Sequence, residues 1–331
     1  MTNRRTNGGP PKASVVRATV VIPTWNGARF LDPCLTALDA QSLGGLASGT
    51  FETLVVDNGS TDDTAAILTR WPDVWVLRFP TNRGFAAAVN AGIRAARTDL
   101  VVLLNNDTEV EPGWLAALLG ALRDHPEAGM ATSKVRLFDR REILHTTGDC
   151  VDLAGRPSNR GVWEQDTGQW DAARDVFGAN AAAAAYRRAL FDDVGLFEEA
   201  FGSYMEDVDL AWRARLAGWT CVYVPEAVVY HHLSATGGGA LASYLVARNR
   251  IWLIARNYPA RLLLRNLGRV AAAQAGIARA ALGAWRGEAA RATLRGQLVG
   301  LVTWPRMLGA RRRIQASRRV PDAAMERMLG G

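Results

Sequence analysis

The chain has 331 residues, 49% hydrophobic and 21% charged, with a formal net charge of +7. This is the balance of a folded soluble protein with room for one large domain and an appendage, or for two domains. Its three cysteines, Cys34, Cys150 and Cys221, are widely spaced. They exclude a disulfide framework and a cysteine metal site, and they suit a reducing cytosol. No run of 18 or more apolar residues exists, which argues against a simple transmembrane span.

Residues 1–17 are polar, with Gly, Pro and Asn, and lack the apolar core of a signal peptide. A disordered lead-in is expected there. Ala18 to Pro23 is a buried strand, and Asn26-Gly27 turns the chain into a helix through about Ala40. A second strand, Phe51 to Asp57, precedes a helix capped by Ser60 or Thr61 and running to Arg70. Val74 to Phe79 is a strand, Gly84 to Arg97 an alanine-rich helix, Leu100 to Leu104 an apolar strand, and Glu111 to Arg123 a helix. Such alternation predicts a mainly parallel sheet with helices on both faces. Ligands of such sheets collect at the carboxyl ends of the strands. Polar groups fall at those ends: Thr24 and Asn26, Asp57 and Asn58, Asn82 and Arg83, Asn105 to Asp107.

Beyond residue 128 the pattern is mixed. Ala131 to Phe138 and Ile143 to Leu153 are expected strands, followed by a polar segment to Asp175. Gly178-Ala179-Asn180 leads into an alanine run with the character of a buried strand, then a short helix from Arg187 to Val194. Tyr204-Met205-Glu206-Asp207-Val208-Asp209 places three carboxylates at the start of an apolar helical pattern that Gly218 ends. Acids at a helix start are favoured by the helix dipole, so a capped helix would account for them. A second acidic cluster about a hundred residues upstream, ending at Asp107, adds another possibility: two such clusters can build one site for a metal and a base. Strands at Thr220 to Val224 and Ala227 to His231 follow.

Asp57 could accept from the base or ribose of a nucleotide, or form an Asx-type turn. No G-x-G-x-x-G follows the first strand and no G-x-x-x-x-G-K-[ST] occurs, which disfavours a dehydrogenase-type fold and excludes a P-loop. Asp107 could supply a hard oxygen to Mg²⁺ or Mn²⁺ beside a diphosphate. His231 or His232 could add an imidazole, or both could lie in solvent at a strand end.

The ordered motifs Val21-Ile22-Pro23-Thr24-Trp25-Asn26, Val55-Val56-Asp57-Asn58-Gly59-Ser60-Thr61-Asp62, Asn82-Arg83-Gly84-Phe85-Ala86 with Asn90, Leu104-Asn105-Asn106-Asp107-Thr108, Glu206-Asp207-Val208-Asp209-Leu210 with Arg213, and Tyr230-His231-His232 make the chain resemble family 2 glycosyltransferases. The likeness is to the GT-A fold and the rhamnosyltransferase-like branch, over about Ala18 to Ala260. The resemblance implies an α/β, Rossmann-like mixed, mainly parallel sheet with helices on both faces over residues 18–240; residues 241–331 read by their own pattern as an Arg-rich helical extension.

It also implies site residues. Pro23, Thr24, Asn26, Asp57, Asn58, Asn82, Arg83, Gly84, Asn90, Asn105 and Asn106 would hold the nucleotide sugar. Asp107 and His231 would hold Mg²⁺ or Mn²⁺, with His231 preferred because it directly follows the apolar strand. Asp207 would be the general base, with Glu206 beside it. Asn180, Glu206 and Trp212 would meet the acceptor. Asn105 stands where the commoner D-x-D form has its first acid, and Phe197-Glu198-Glu199 where Phe-Asp-Glu is usual. The implied reaction is one inverting displacement from a nucleotide sugar, with dTDP-rhamnose expected first and a UDP-sugar second. The acceptor would be a glycan or polyprenyl-linked hydroxyl in cell-envelope polysaccharide synthesis.

The charge is uneven. Residues 241–331 hold 17 Arg, no Lys and three acids, a net of +14, against −7 for the rest. Arg269, Arg279 and Arg286 share one side of a helical pattern, away from Leu267, Leu282 and Trp285. This suits an anionic membrane surface better than nucleic acid, with a solvated basic face or a partner protein as the other readings, so a peripheral location on the cytoplasmic face is expected. Two alternatives stand beside the transferase: a sugar-phosphate nucleotidyltransferase, although its glycine-rich opening is absent, and a non-catalytic nucleotide-sugar-binding protein at the membrane.

Overall fold

The computed structural model describes residues 3–4, 17–232 and 239–330. The expected lead-in falls outside them, apart from Arg17 and a two-residue strand, β1 (Asn3–Arg4), paired with a sheet edge. The first half alternates strand and helix: β2 (Ala18–Thr24), α1 (Ala28–Asp39), β3 (Phe51–Asp57), α2 (Thr64–Leu68), β4 (Val74–Arg78), α3 (Phe85–Ala95) and β5 (Leu100–Leu104). Strands β4, β3, β2 and β5 lie side by side in that order, all parallel. Every residue of β2 is buried, as in a strand covered on both faces. The register sets Thr24 beside Asp57, which aligns their loops at one edge.

The chain continues through β6 (Thr108–Val110), α4 (Trp114–Asp124), β7 (Ala128–Leu137), β8 (Leu144–Thr146), β9 (Asp149–Val151), β10 (Pro157–Asn159), β11 (Ala183–Arg187), α5 (Arg188–Val194), α6 (Glu206–Leu216) and β12 (Thr220–His231). The large sheet runs β1-β4-β3-β2-β5-β11-β7-β12-β6, with β8 on β7. The alanine run forms β11, inserted antiparallel between β5 and β7. Its residues alternate between two cores, Ala183 and Ala185 facing one and Ala184 the other. One core packs Leu31 and Leu35 of α1 and Trp114 of α4 on the sheet, and the other packs residues of α3, α5 and α6. Burying one such large side chain contributes about 1.5–3 kcal/mol.

Several local expectations are corrected. Helix α2 is shorter than expected and is started by Asp62, whose carboxylate accepts from the Thr64 N–H and hydroxyl. Ser60 instead turns its hydroxyl to the Asn26 N–H. The single strand expected over 143–153 is split into β8 and β9 at Gly148, whose φ of +122° is closed to most side chains. The two strands expected after residue 220 are one, β12, with a register shift between Val224 and Val228. Strand β6 was not expected at all.

The Arg-rich extension is helical as expected: α7 (Gly239–Asn257), α8 (Ala260–Gly283), α9 (Glu288–Thr303), α10 (Leu308–Ala316) and α11 (Asp322–Gly330). Helices α7 and α9 meet closely at Gly296, where a Cβ would lie 2.3 Å from the Tyr244 carbonyl oxygen. The extension is rooted in the sheet domain. Val208, Trp212 and Leu216 of α6 share a core with Leu253, Tyr258, Leu262, Met325 and Leu329. Among the described residues, no helix is long and apolar enough to cross a membrane.

Candidate active site

The polar groups at the strand ends are mostly bonded to one another. Thr24 Oγ1 accepts from Asn106 Nδ2 at 2.9 Å. Gly27 is needed beside this pair, since a Cβ there would come within 1.8 Å of Asn106 Nδ2. Asp57 accepts from the Ser60 N–H, three residues on, at 2.9 Å and pairs with Arg78 Nε at 3.2 Å, so its carboxylate closes the loop after β3. Asn58 accepts from the Arg83 N–H and donates to Asn82 Oδ1 and Gly84 O, which clamps the 82–84 loop. Asn26 accepts from the Thr61 N–H and sits at a φ of 49° that asparagine tolerates. Pro23 lies inside β2, beside Val56. The exposed guanidinium of Arg83, over the Phe79 ring, is a cation at this edge that a ligand could reach.

Asn90 departs from its expected role. It is buried, accepts from the Phe197 N–H, and donates to Phe197 O and Glu199 Oε1. Both its amide protons and one lone pair of its oxygen are spent tying α3 to the segment before α6.

Pairing of β12 with β6 sets His231 opposite Thr108 and so returns it to Asp107. His231 Nε2 lies 3.2 Å from Asp107 Oδ1, and both residues are buried. His232 stacks on Phe138 instead, ring centroids 3.5 Å apart. Asn105 Oδ1, two residues from Asp107, is buried without a partner. A carboxylate oxygen and an imidazole nitrogen side by side, near an orphan amide oxygen, fit a divalent cation of the Mg²⁺ or Mn²⁺ kind. Among the described residues, no three His, Cys, Asp or Glu side chains form a metal cluster. The remaining ligands would come from diphosphate oxygens and water. On the far side of His231, Nδ1 lies 3.3 Å from His145 Nδ1. Burial, and then His231, push His145 down to about 4, so its ring is neutral at neutral pH.

The acidic helix α6 is entered through two left-handed residues, Tyr204 and Met205, with φ of 67° and 72°. Non-glycine residues held there cost on the order of 1–3 kcal/mol each. Glu206 and Asp209 are buried and Asp207 half-buried. Asp207 accepts from the Val208 N–H at 2.8 Å and the Ala181 N–H at 3.4 Å. Asp149, from β9, is buried close by and accepts from Asn180 Nδ2 at 3.3 Å. Burial, and next the charge of Asp207, push Glu206 and Asp149 well above the usual carboxylate range. Burial also raises Asp207, but the Val208 and Ala181 N–H groups oppose the rise. Asp207 is therefore the member of the trio whose charged form is opposed least. Asp209 is compensated differently, by ion pairs with Arg213 and Arg256, both at 2.8 Å, and by Asn257 Nδ2 at 2.7 Å.

One short segment joins the two acidic clusters. The Ala181 N–H reaches Asp207, and the next carbonyl, Ala182 O, accepts from the Asn105 N–H at 2.8 Å. Asn180 and Glu206 border this segment. Trp212 does not join them: its ring is fully buried against Phe177 and Tyr258, which leaves no face for an acceptor and corrects that expectation.

Sequence reasoning missed Asp149, His145 and Asn249. For the first two the signal was Gly148, a glycine inside a strand pattern, which marks a break that redirects its neighbours. Asn249 is fully buried on α7, and its Nδ2 lies 3.1 Å from Phe201 O, 3.1 Å from Ser203 O and 2.8 Å from Tyr204 O. It holds the strained entry to α6. A lone Asn between two arginines in an apolar helix was the available sign.

A strand-edge cradle, a carboxylate–imidazole pair and an acidic helix thus lie along one mixed sheet. The family model for glycosyl transferase family 2 matches residues 19–195, just over half of the chain, and the chain belongs to that family. It is thus a glycosyltransferase, which decides against the nucleotidyltransferase alternative. It is similar to N-acetylglucosaminyl-diphospho-decaprenol L-rhamnosyltransferase of Mycobacterium tuberculosis, 33% identical over 60% of this chain and 71% of the relative. It is also similar to pre-mycofactocin glycosyltransferase of the same organism, 35% identical over 69% of this chain but only 44% of that longer protein. Among solved structures, the fold is shared with a mannosyltransferase of Pyrobaculum calidifontis in complex with GDP-Man and Mn²⁺. The TM-score is 0.54 and the identity 21%, over 94% of this chain and 86% of that one.

Proposed function

We propose that this glycosyltransferase moves a sugar from a nucleotide-sugar donor to a hydroxyl acceptor in a single inverting, metal-dependent displacement. The observation that carries this reading is the 181–182 segment, which hydrogen-bonds Asp207 on one side and Asn105, beside the Asp107–His231 pair, on the other. A proton acceptor and a cation-holding pair thus flank one stretch of backbone. Asp107 and His231 would hold Mg²⁺ or Mn²⁺, which when bound offsets the charge of the leaving nucleoside diphosphate. Arg83 approaches the same diphosphate or its base. Asp207, half-buried and reaching solvent, takes the proton of the attacking hydroxyl, and its raised affinity for that proton moves it toward the working pH of a general base. Asn180 and Glu206 border the acceptor.

The likeness to an L-rhamnosyltransferase supports dTDP-rhamnose as donor, with a UDP-sugar second. It also supports a glycan or polyprenyl-linked acceptor in cell-envelope polysaccharide synthesis. The extension supports peripheral attachment at the cytoplasmic membrane face, because Leu267, Leu282, Trp285, Leu298 and Leu301 are exposed among its arginines.

Purified full-length protein is to be screened against dTDP-rhamnose and UDP-sugars with Mn²⁺ or Mg²⁺ and candidate acceptors, reading nucleoside diphosphate release. One donor should be consumed, and EDTA should stop it. Tight donor binding with no turnover under any condition would favour the non-catalytic alternative.

A further inference from the structure

The Asp107–His231 pair leaves one question of chemistry open: which ring nitrogen of His231 carries the proton. Nε2 faces Asp107 Oδ1 at 3.2 Å and can give a lone pair to a cation there only when it is unprotonated. A neutral imidazole then carries its proton on Nδ1. That N–H lies in a partly buried corner and gains from an acceptor, since a buried donor without a partner costs about 1–3 kcal/mol. His145 Nδ1 is 3.3 Å away, and the two rings are tilted 49° with centroids 5.2 Å apart. His145 comes from β8, which pairs with β7, the strand that also carries β12. Both rings are thus mounted on one sheet.

We propose that His145 is a positioning residue for the cation site: its Nδ1 accepts the Nδ1 proton of His231, which turns the His231 Nε2 lone pair toward Asp107 and the cation. This rests on the metal-dependent reading of the site. His145 does not itself bind the cation; it fixes the tautomer and ring orientation of a residue that does. Outer partners of this kind typically govern metal affinity by about 10–100-fold.

The test is Mn²⁺ affinity of full-length protein in the presence of nucleoside diphosphate, by calorimetry or by the electron paramagnetic resonance of free Mn²⁺. The variants are His145→Phe, which keeps a ring but no acceptor, and His145→Asn, which restores an acceptor oxygen, with melting temperature checked in parallel. His145→Phe should weaken Mn²⁺ binding by about 10–100-fold, and His145→Asn should recover most of that loss. Nitrogen-15 shifts of His231 in the wild-type protein with a diamagnetic cation (Mg²⁺) should report protonated Nδ1. Wild-type affinity in His145→Phe, equal losses in both variants, or a protonated Nε2 in the Mg²⁺-bound protein would each overturn the role of His145 while leaving the metal site standing. If the wild-type protein itself binds no Mn²⁺ with nucleoside diphosphate, the metal-dependent reading falls, and this one with it.

Discussion

The parallel half of the sheet and the half built around α6 treat their polar groups in opposite ways. In the first, Thr24, Asn26, Asp57 and Asn58 are bonded to backbone or side chains of the strand-end loops, mostly across from one loop to the next, and their hydrogen bonds shape the cradle. In the second, Asp149 Oδ2 and Glu206 Oε2 are buried with no partner, and the helix that carries Glu206 begins in strained backbone. Satisfied groups give a preformed surface that a ligand meets without rearrangement. Uncompensated carboxylates raise proton affinity, which is what a base needs and what stability disfavours. Asp209 shows that the second half can compensate a buried acid when required, with two arginines and an amide. Asp149 and Glu206 beside it each keep one buried oxygen without such compensation.

Four experiments break or sharpen this contrast. The largest effect is expected from Asp207→Asn, which should lower kcat by about 10²–10⁴-fold while nucleoside diphosphate affinity moves by less than about twofold. Near-normal turnover would remove the chemical distinction between the halves. Asn249→Ala comes next. It strips the donor shared by three loop carbonyls, at about 1–3 kcal/mol for each group left unsatisfied. Hydrogen exchange should speed up at residues 201–209 and stay unchanged in the loops after β2 and β3; equal loosening of both would show that the halves are not mechanically separate.

The third experiment concerns the outer face of the extension. Arg279→Ser with Arg286→Ser should weaken binding to anionic vesicles by about thirtyfold, from about 1 kcal/mol per basic residue, and high salt should mimic the change. Failure of the full-length protein to sediment with such vesicles at low salt would reassign this face to a partner or to oligomer contacts. The smallest effect is on stability. The native state raises Glu206 above its ordinary value of 4.5, so it holds a proton that the unfolded chain releases as pH rises through that range. Stability from this group is present at low pH and falls as pH rises toward the raised native value. Glu206→Gln should therefore raise Tm at neutral pH and lose that advantage below about pH 4. A constant difference at all pH values would mean that Glu206 is not the acid held protonated.

Much of the cradle was legible in the sequence because its strands are local and continuous. Apolar runs such as Leu100 to Leu104 end in polar residues, and that boundary alone places Asp57 and Asn105 at an edge. The roles of individual side chains were less legible. Nothing local separates Asn90, which braces α3, from Asn58, which clamps a loop; the partner of Asn90 lies 107 positions away. Trp212 sits in a helix whose arginines Arg213 and Arg215 are themselves buried, so polarity around it gave no sign of its depth. Asp149 and His145 were hidden in a stretch that looked like one plain strand until Gly148 divided it.

The closure of β12 on β6 has a temporal side. Asp107 is made 124 positions before the histidine it faces. As the chain leaves the ribosome, strands β2 to β5 can pair in the order in which they emerge nearby. Strand β11 must then slot between β5 and β7, and β12 must follow, and such distant pairings are slow. Pulse-labelled hydrogen exchange should protect β2 and β3 ahead of β12. A nascent or prematurely ended chain can thus carry Thr24, Asp57 and Asp107 before it has made the histidine that faces Asp107.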